Sequence, residues 1–146
     1  MIKKRLGVGF IGAGFITQFH IQSWVGVRDA DILGIVSLSM EESEQAAALA
    51  RTLNVGSARP YESITAMVAN PDIDAIWICA PNYTRIENME EIVKAIEDGK
   101  GELVGVACEK PLGRNAREAK KMLELVKRAN LLDGYLEDQI FSTAVS

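Results

Sequence analysis

The segment LGVGFIGAGFIT, residues 6–17, passes from an alternating apolar run into two closely spaced glycines and then into a helical pattern. Leu6 to Ile11 predicts a short buried strand, and a helix is predicted from just after Gly14 to about Val27. The apolar residues available for the buried side of this helix are Phe15, Phe19 and Trp24. A strand, a glycine turn and a helix in this order form the first half of a βαβ unit.

Two glycine registers compete in this segment. Gly7, Gly9 and Gly12 match the spacing G-x-G-x-x-G, but the first two lie inside the predicted strand. Phosphate binding needs a tight turn at the end of the strand, followed by a helix whose free N–H groups face the anion. The loop Gly12–Gly14 meets this requirement, with Thr17 in the place of the third glycine. We therefore predict that this loop holds the pyrophosphate of a dinucleotide.

The rest of the chain continues the alternation of short apolar runs and longer helical stretches. Further strands are predicted at Asp31–Val36, Val55–Ala58, Ala75–Cys79, Leu103–Cys108, and from near Asp133 through Leu136. Helices are predicted after Ser39 (with Glu42 completing a capping box), from Ser63 to Ala69, over 86–96 and after Asn115. The pattern predicts one α/β domain over residues 1–146: a doubly wound, mostly parallel six-stranded Rossmann sheet with helices on both faces.

Composition narrows the class of protein. The 146 residues carry a net charge of −4, which argues against a nucleic-acid partner. No apolar run reaches the roughly 18 residues needed to span a bilayer, and no signal peptide is evident. The two cysteines, Cys79 and Cys108, fall at the ends of predicted strands and are expected to be reduced packing residues. A cytoplasmic protein without a membrane partner is expected.

The end of the second strand bears on the choice of dinucleotide. An acidic residue there selects NAD by binding the adenosine ribose, but this chain has Ser37 and Leu38 instead. The Ser37 hydroxyl would tolerate a 2′-phosphate and could donate to it, whereas Leu38 supplies no positive charge. NAD or NADP is predicted, with a slight preference for NADP.

Lys110 follows the fifth predicted strand, at the edge of the sheet where ligands bind in open α/β folds. Pro111 favours an extended conformation for this lysine. A lysine at a partly desolvated site beside a cationic nicotinamide is suited to acid–base work. From spacing alone, a surface lysine in a turn is an equally good interpretation.

Four segments in this order resemble the N-terminal domain of the Gfo/Idh/MocA oxidoreductases. They are Gly12-Ala13-Gly14, Ala80-Pro81-Asn82, Glu109-Lys110-Pro111 and Tyr135-Leu136-Glu137-Asp138-Gln139. The resemblance implies a dehydrogenase that uses NAD or NADP on a sugar-like or polyol-like small molecule, possible assembly into a homo-oligomer, and Lys110 near the reacting hydroxyl as the catalytic residue.

The resemblance also assigns cofactor contacts position by position. It implies Gly12, Ala13, Gly14, Phe15 and Ile16 at the pyrophosphate, and Ser37 and Leu38 at the adenosine ribose. It implies Ala80, Pro81, Asn82, Glu109, Lys110 and Asp138 around the nicotinamide and its ribose. No metal ligand is expected.

Departures from the family pattern limit these expectations. Arg85 stands where members often have histidine, which is expected to alter contacts near the cofactor. The family's second domain is absent, so we expect a fragment that holds the cofactor half of the site and turns over little by itself. His20, the single histidine, is interpreted as a packing or capping residue.

Two other functions remain open at this point. A non-catalytic NAD(P)-binding or redox-sensing module would need Gly12 and Gly14 but would have no use for Lys110. An S-adenosylmethionine methyltransferase also has a glycine-rich first turn, but it usually places an acid after the second strand, where this chain has Ser37.

Overall fold

The structure is a computed structural model that describes residues 4–137. Within them the strands are β1 (Leu6–Ile11), β2 (Ala30–Val36), β3 (Arg59–Pro60), β4 (Ala75–Ile78), β5 (Gly105–Glu109) and β6 (Leu132–Leu136). The α-helices are α1 (Phe15–Ser23), α2 (Met40–Thr52), α3 (Ile64–Val68), α4 (Arg85–Glu97) and α5 (Ala116–Arg128). Short 3-10 helices cover Trp24–Gly26 and Asn82–Thr84.

The strands form one sheet in the order β3-β2-β1-β4-β5-β6, and every described pair of neighbours is parallel. Strand β1 lies in the middle of the sheet. Strands β2 and β3 lie on one side of it, and the chain then crosses over to place β4, β5 and β6 on the other side. This crossing creates a crevice at the carboxyl ends of β1 and β4, the place where open α/β sheets bind ligands. The predicted six-stranded Rossmann sheet is confirmed.

Helices cover both faces of the sheet, as predicted. Helices α1 and α2 pack on one face, where Ile21 and Ala47 join Phe10 and Ile35 of the sheet in a buried cluster. Helices α3, α4 and α5 cover the other face with a second buried cluster. Burial of each large side chain contributes roughly 1.5–3 kcal/mol, so these two layers stabilise the sheet from both faces.

The prediction for the buried side of α1 is wrong at two positions. Phe15 is 79% exposed and Phe19 is 51% exposed, whereas Thr17 and Ile21 are fully buried. Because α1 begins directly after the glycine loop, its phase is set there, and Thr17, Ile21 and Trp24 fall on the side facing the sheet. The two phenylalanines therefore lie on the outer side of the helix.

The third strand is also shifted from its predicted place. The pairing with β2 involves Arg59–Pro60 rather than residues 55–58. Val55 is buried, but it lies in a connector, where its carbonyl accepts a hydrogen bond from the Ile32 N–H at 2.9 Å. Gly56 follows with φ of 152°, a conformation that interrupts a strand. The apolar pattern therefore predicts burial at the two ends of segment 55–58 correctly, but it places the strand there instead of at Arg59–Pro60.

The remaining differences are confined to the ends of elements. Helix α1 ends at Ser23 instead of continuing to Val27, and a short 3-10 helix follows it. The strands β4 and β5 begin or end one or two residues away from their predicted limits. Among the helices of residues 4–137, none has the length and apolar character required to cross a membrane.

Candidate cofactor-binding site

Gly12 makes the turn at the end of β1. Its φ is 104°, and a Cβ atom there would lie 2.9 Å from the Ala80 nitrogen. The Gly12 N–H donates to the Val36 carbonyl at 2.8 Å, and its own carbonyl accepts from Thr17 Oγ1 at 2.8 Å. Glycine is therefore required here by the turn itself. Thr17, in the place of the third glycine, fastens the loop to the first turn of α1.

Gly14 is the N-cap residue of α1 and differs from Gly12 in what surrounds it. A Cβ atom on Gly14 would meet no protein atom within 4 Å, and no side chain caps this helix end. By contrast, Ser39, Ser63 and Asn115 cap α2, α3 and α5 with side-chain oxygens, and α4, which also lacks a side-chain cap, has Glu87 in its first turn. The first turn of α1 also carries no acidic residue. Its free N–H groups and the open space above Gly14 fit a pyrophosphate.

A cleft of about 710 Å³ opens above this loop, and we call it the loop cleft. Of the predicted cofactor-binding residues, it is lined by residues 12–16, Ser37, Leu38, Ala80 and Pro81. Asn82 begins the 3-10 helix after β4 and does not line the cleft, and Asp138 lies outside the described residues. The structure thus gathers the residues expected at the pyrophosphate and the adenosine ribose into one cleft.

The Ser37 hydroxyl is engaged within its own turn. Ser37 Oγ donates to the Ser39 carbonyl at 2.8 Å, lies 2.9 Å from Ser43 Oγ, and accepts from the Ser39 N–H at 3.2 Å. Ser39 Oγ caps the Glu42 N–H at 3.3 Å, so this half of the predicted capping box forms. The other half of a capping box would be a hydrogen bond from the Ser39 N–H to the Glu42 side chain. Here the Ser39 N–H donates to Ser37 Oγ instead, and Glu42 lines the loop cleft.

The three residues Glu109–Pro111 begin at the last residue of β5 and continue into the loop after it, and we call them the lysine turn. The Glu109 carboxylate is buried, and its Oε1 lies 2.6 Å from His20 Nε2. Its Oε2 accepts the Lys110 N–H at 3.1 Å. Because an ionised carboxylate only accepts hydrogen bonds, Nε2 of the histidine carries the hydrogen. The structure gives His20 a charged partner that the packing or capping interpretation did not include.

Arg85 holds the lysine turn from the opposite side. It is the first residue of α4 and only 5% exposed. Its Nε donates to the Ala80 carbonyl at 3.0 Å, and its Nη1 donates to the Glu109 carbonyl at 2.5 Å and also to the Pro111 carbonyl. From the sequence alone, this arginine is only a departure from the family pattern. Its role depends on carbonyl groups that the tertiary fold brings together, so no local pattern reveals it.

Lys110 is exposed beside a second cleft of about 580 Å³, the lysine cleft. Phe19, His20, Glu109 and Tyr135 also line it. Phe15 and Ile16 line both clefts, so the two adjoin along the first turn of α1. The exposed faces of Phe19 and Tyr135 give the lysine cleft an aromatic border that the predicted site did not contain. In residues 4–137 no group of three potential ligands could hold a metal ion.

Both cysteines are free, and their thiols stay protonated in the folded chain. Burial, together with the nearby Glu109 carboxylate, raises the pKa of Cys79 to about 12, although a hydrogen bond with Thr17 opposes this rise. Burial raises the pKa of Cys108 to about 11. Cys79 borders the loop cleft but is a poor nucleophile there, which agrees with the predicted packing role.

Comparison with known proteins connects this geometry to a family. The model of an oxidoreductase family with an NAD-binding Rossmann fold, GFO/IDH/MocA, matches residues 6–133. An inositol 2-dehydrogenase from Pseudomonas savastanoi is 32% identical over 125 residues, which are 82% of this chain and 32% of that protein. A levoglucosan dehydrogenase from Pseudarthrobacter phenanthrenivorans is 29% identical over 133 residues, or 88% of this chain and 32% of that protein.

Solved structures share the fold. A myo-inositol 2-dehydrogenase from Lactobacillus plantarum superposes with a TM-score of 0.73 and 24% identity, covering 96% of this chain and 38% of that one. The chain thus spans about a third of the length of the curated relatives it matches. The matched part contains the glycine loop and the lysine turn.

Proposed function

The chain belongs to the Gfo/Idh/MocA oxidoreductase family, and from this premise we propose that it is the NAD(P)-binding domain of a dehydrogenase acting on a sugar or polyol. The observation that carries the proposal is the Gly14 N-terminus of α1. It has no side-chain cap, no acid in its first turn, and open space where a Cβ would stand. An anionic pyrophosphate satisfies these N–H groups and the positive end of the helix dipole.

In this proposal the cofactor is a hydride carrier, and this chain supplies binding, orientation and one proton-transfer group. Residues 12–16 hold the pyrophosphate end, and Ala80 and Pro81 border the next part of the cofactor toward the nicotinamide. Lys110, which lines the lysine cleft, takes the proton from a substrate hydroxyl or returns it to a carbonyl oxygen. Asn82 and Asp138 remain proposed contacts.

The substrate is proposed as a small polyhydroxylated molecule bound in the lysine cleft. The named relatives act on inositol and levoglucosan. Lys110 provides a hydrogen-bond donor to oxygen, and Phe19 and Tyr135 provide aromatic faces on which the C–H side of a sugar ring packs. Because the chain covers about a third of these relatives, we propose that further polypeptide completes the substrate site and any homo-oligomer interface.

We propose NAD as the cofactor rather than NADP. The slight preference for NADP depended on donation by Ser37, whose hydroxyl hydrogen is used within its own turn. The charged residues that line the loop cleft are Glu42, Glu62, Glu87, Glu91 and Arg85. Arg85 is buried and donates to three backbone carbonyls. A 2′-phosphate would therefore meet carboxylates without an available cation.

Calorimetric titration of the chain with NADH and NADPH tests the binding part of this proposal. We expect NADH to bind in a 1:1 ratio and NADPH to bind at least tenfold more weakly. Absence of binding by both would overturn the proposed function, and equal affinity would overturn the NAD preference alone. An assay of NAD reduction with inositols and anhydrosugars, on protein that extends to the full length of the relatives, separates a dehydrogenase from a binding module.

A cytoplasmic location is proposed on a separate observation. Cys79 and Cys108 are both unpaired thiols, the form that a reducing compartment maintains. Fractionation of the source cells with a specific antibody tests this, and recovery of the protein from an extracytoplasmic fraction would contradict it.

A further inference from the structure

The lysine turn is held at both ends by side chains from opposite faces of the sheet. His20 comes from α1 on one face, and Arg85 comes from α4 on the other. Between their contacts lies Lys110, whose side chain is exposed beside the lysine cleft. The backbone on each side of this lysine is thus fixed while its ammonium group is left available.

The Arg85 contacts bracket Lys110 along the chain. Its Nη1 donates to the carbonyl of Glu109, one residue before the lysine, and to that of Pro111, one residue after it. The Nε of the same guanidinium donates to Ala80 in the loop after β4. A planar guanidinium presents these donors in a fixed fork, which the single ammonium of a lysine cannot reproduce. Burial of such a charge is tolerated only where its N–H groups are satisfied.

The His20 contact acts on the other side of the turn. Its Nε2 holds one oxygen of the Glu109 carboxylate, and the second oxygen accepts the Lys110 N–H. This leaves the buried carboxylate with a charge-assisted partner at each oxygen. Rotation of the Glu109 side chain would break the contact with the Lys110 backbone, so His20 stabilises the lysine through Glu109.

We propose that His20 and Arg85 are positioning residues that together set where the Lys110 ammonium lies, and that Arg85 ties the lysine turn to the Ala80 loop so that the two move as one unit. The inference rests on the proposed role of Lys110. Under this proposal, neither His20 nor Arg85 exchanges a proton with the substrate. Each acts on the turn that carries the lysine.

Reductive ¹³C-methylation of the lysines tests this without turnover, because it retains the charge and gives each lysine a separate NMR signal. The Lys110 signal is identified by its loss in Lys110→Arg. We expect His20→Leu to move this signal by more than its line width. We expect His20→Gln, which keeps a donor for Glu109, to leave it near the wild-type position. The signal of Lys94, paired with Asp98 far from the turn, is the control and should not move.

Arg85→Lys provides the second arm and should also move the Lys110 signal, which is told apart from that of the added lysine by its loss in the double variant Arg85→Lys/Lys110→Arg. An unmoved signal in both His20→Leu and Arg85→Lys would overturn the proposal, as would equal movement in His20→Leu and His20→Gln. If a variant does not fold, the wild-type chain still decides: the single histidine should show an exchange-protected imidazole N–H, and its absence would contradict the Glu109 contact. NADH titration of the same samples tests the proposed function separately.

Discussion

His20 Nε2 lies 2.6 Å from Glu109 Oε1, although the two residues are 89 positions apart in the chain. The contact joins α1, which begins at the glycine loop, to the residue that ends β5. One helix therefore presents its N-terminus to the loop cleft and, less than two turns later, a side chain that holds the lysine turn. The proposed anion site at one end of α1 and the His20 contact with the lysine turn near the other end therefore belong to a single helix.

Replacement of Gly14 by alanine should weaken cofactor binding and leave the fold intact. The added Cβ meets no protein atom within 4 Å, so it projects into the space proposed for the pyrophosphate. We expect NADH affinity to fall by about tenfold or more, which corresponds to about 1.4 kcal/mol. The free energy of unfolding should change by no more than about 1 kcal/mol. Calorimetry and urea denaturation measure the two quantities.

Gly12→Ala is the matched control for this variant. Its Cβ would lie 2.9 Å from the Ala80 nitrogen, and its φ of 104° is unfavourable for alanine. The substitution should therefore lower the free energy of unfolding. A destabilisation of about 2–5 kcal/mol is expected by urea denaturation. The assignment of Gly14 to the ligand would be contradicted if Gly14→Ala lost stability as Gly12→Ala does, or bound NADH as the wild type does.

Lys110→Ala should separate binding from chemistry. The lysine lines the lysine cleft and not the loop cleft, so NADH affinity should change by less than about threefold. General acid–base groups contribute typically 10²–10⁴-fold, and kcat for polyol oxidation should fall by at least about 100-fold. Steady-state kinetics on the full-length enzyme measures this loss. Lys94→Ala, at an exposed position, is the control, and an unchanged kcat in Lys110→Ala would remove the lysine from the mechanism.

Much of the fold could be predicted because its signals are local. The glycine loop is flanked by a strand and a helix that sequence periodicity marks clearly, and the observed β1 has the predicted limits, Leu6–Ile11. The phase of α1 could not be read in the same way. Phe15 and Phe19 are as hydrophobic as the residues beneath the helix, and their exposure follows from where the loop starts the helix. The apolar character of these two phenylalanines predicts burial, but the structure places Phe15 at the border of both clefts and Phe19 at the border of the lysine cleft.

In the candidate site, too, the residues that belong to local motifs could be predicted, whereas contacts between distant segments could not. Residues 12–16 and Lys110 follow directly from motifs, since each motif is contiguous in sequence. The contacts of Arg85 with Ala80, Glu109 and Pro111 join three segments, so they become visible only once β4 and β5 are side by side. Likewise, the sequence alone predicts a free donor at Ser37, whereas in the folded chain its hydroxyl donates to the Ser39 carbonyl.

Leu38→Arg should shift the cofactor preference toward NADP. Leu38 is fully exposed and lines the loop cleft, so an arginine fits there without disturbing the core. It would supply the cation that the cleft lacks for a 2′-phosphate. NADPH affinity should rise about tenfold, while NADH affinity should stay within about threefold of its original value. Leu132→Arg, on the exposed edge strand β6, adds the same charge elsewhere and should change neither affinity by more than that. A rise in NADPH affinity in both variants would show that the rise comes from net charge and not from a contact between the arginine at position 38 and the 2′-phosphate.

Alkylation should report the protonated state of Cys79. Its pKa is raised from 9.0 to about 12, chiefly by burial, so at pH 8 its thiolate fraction is about a thousandfold lower in the folded chain than in the unfolded one. With Cys108→Ala as background, iodoacetamide should react slowly in buffer and rapidly in urea. Because the raised pKa favours the protonated thiol, its contribution to stability is fully present below about pH 9 and is lost as the pH rises toward about 12. Equal rates in buffer and urea would show that the thiol is neither buried nor held protonated beside Glu109.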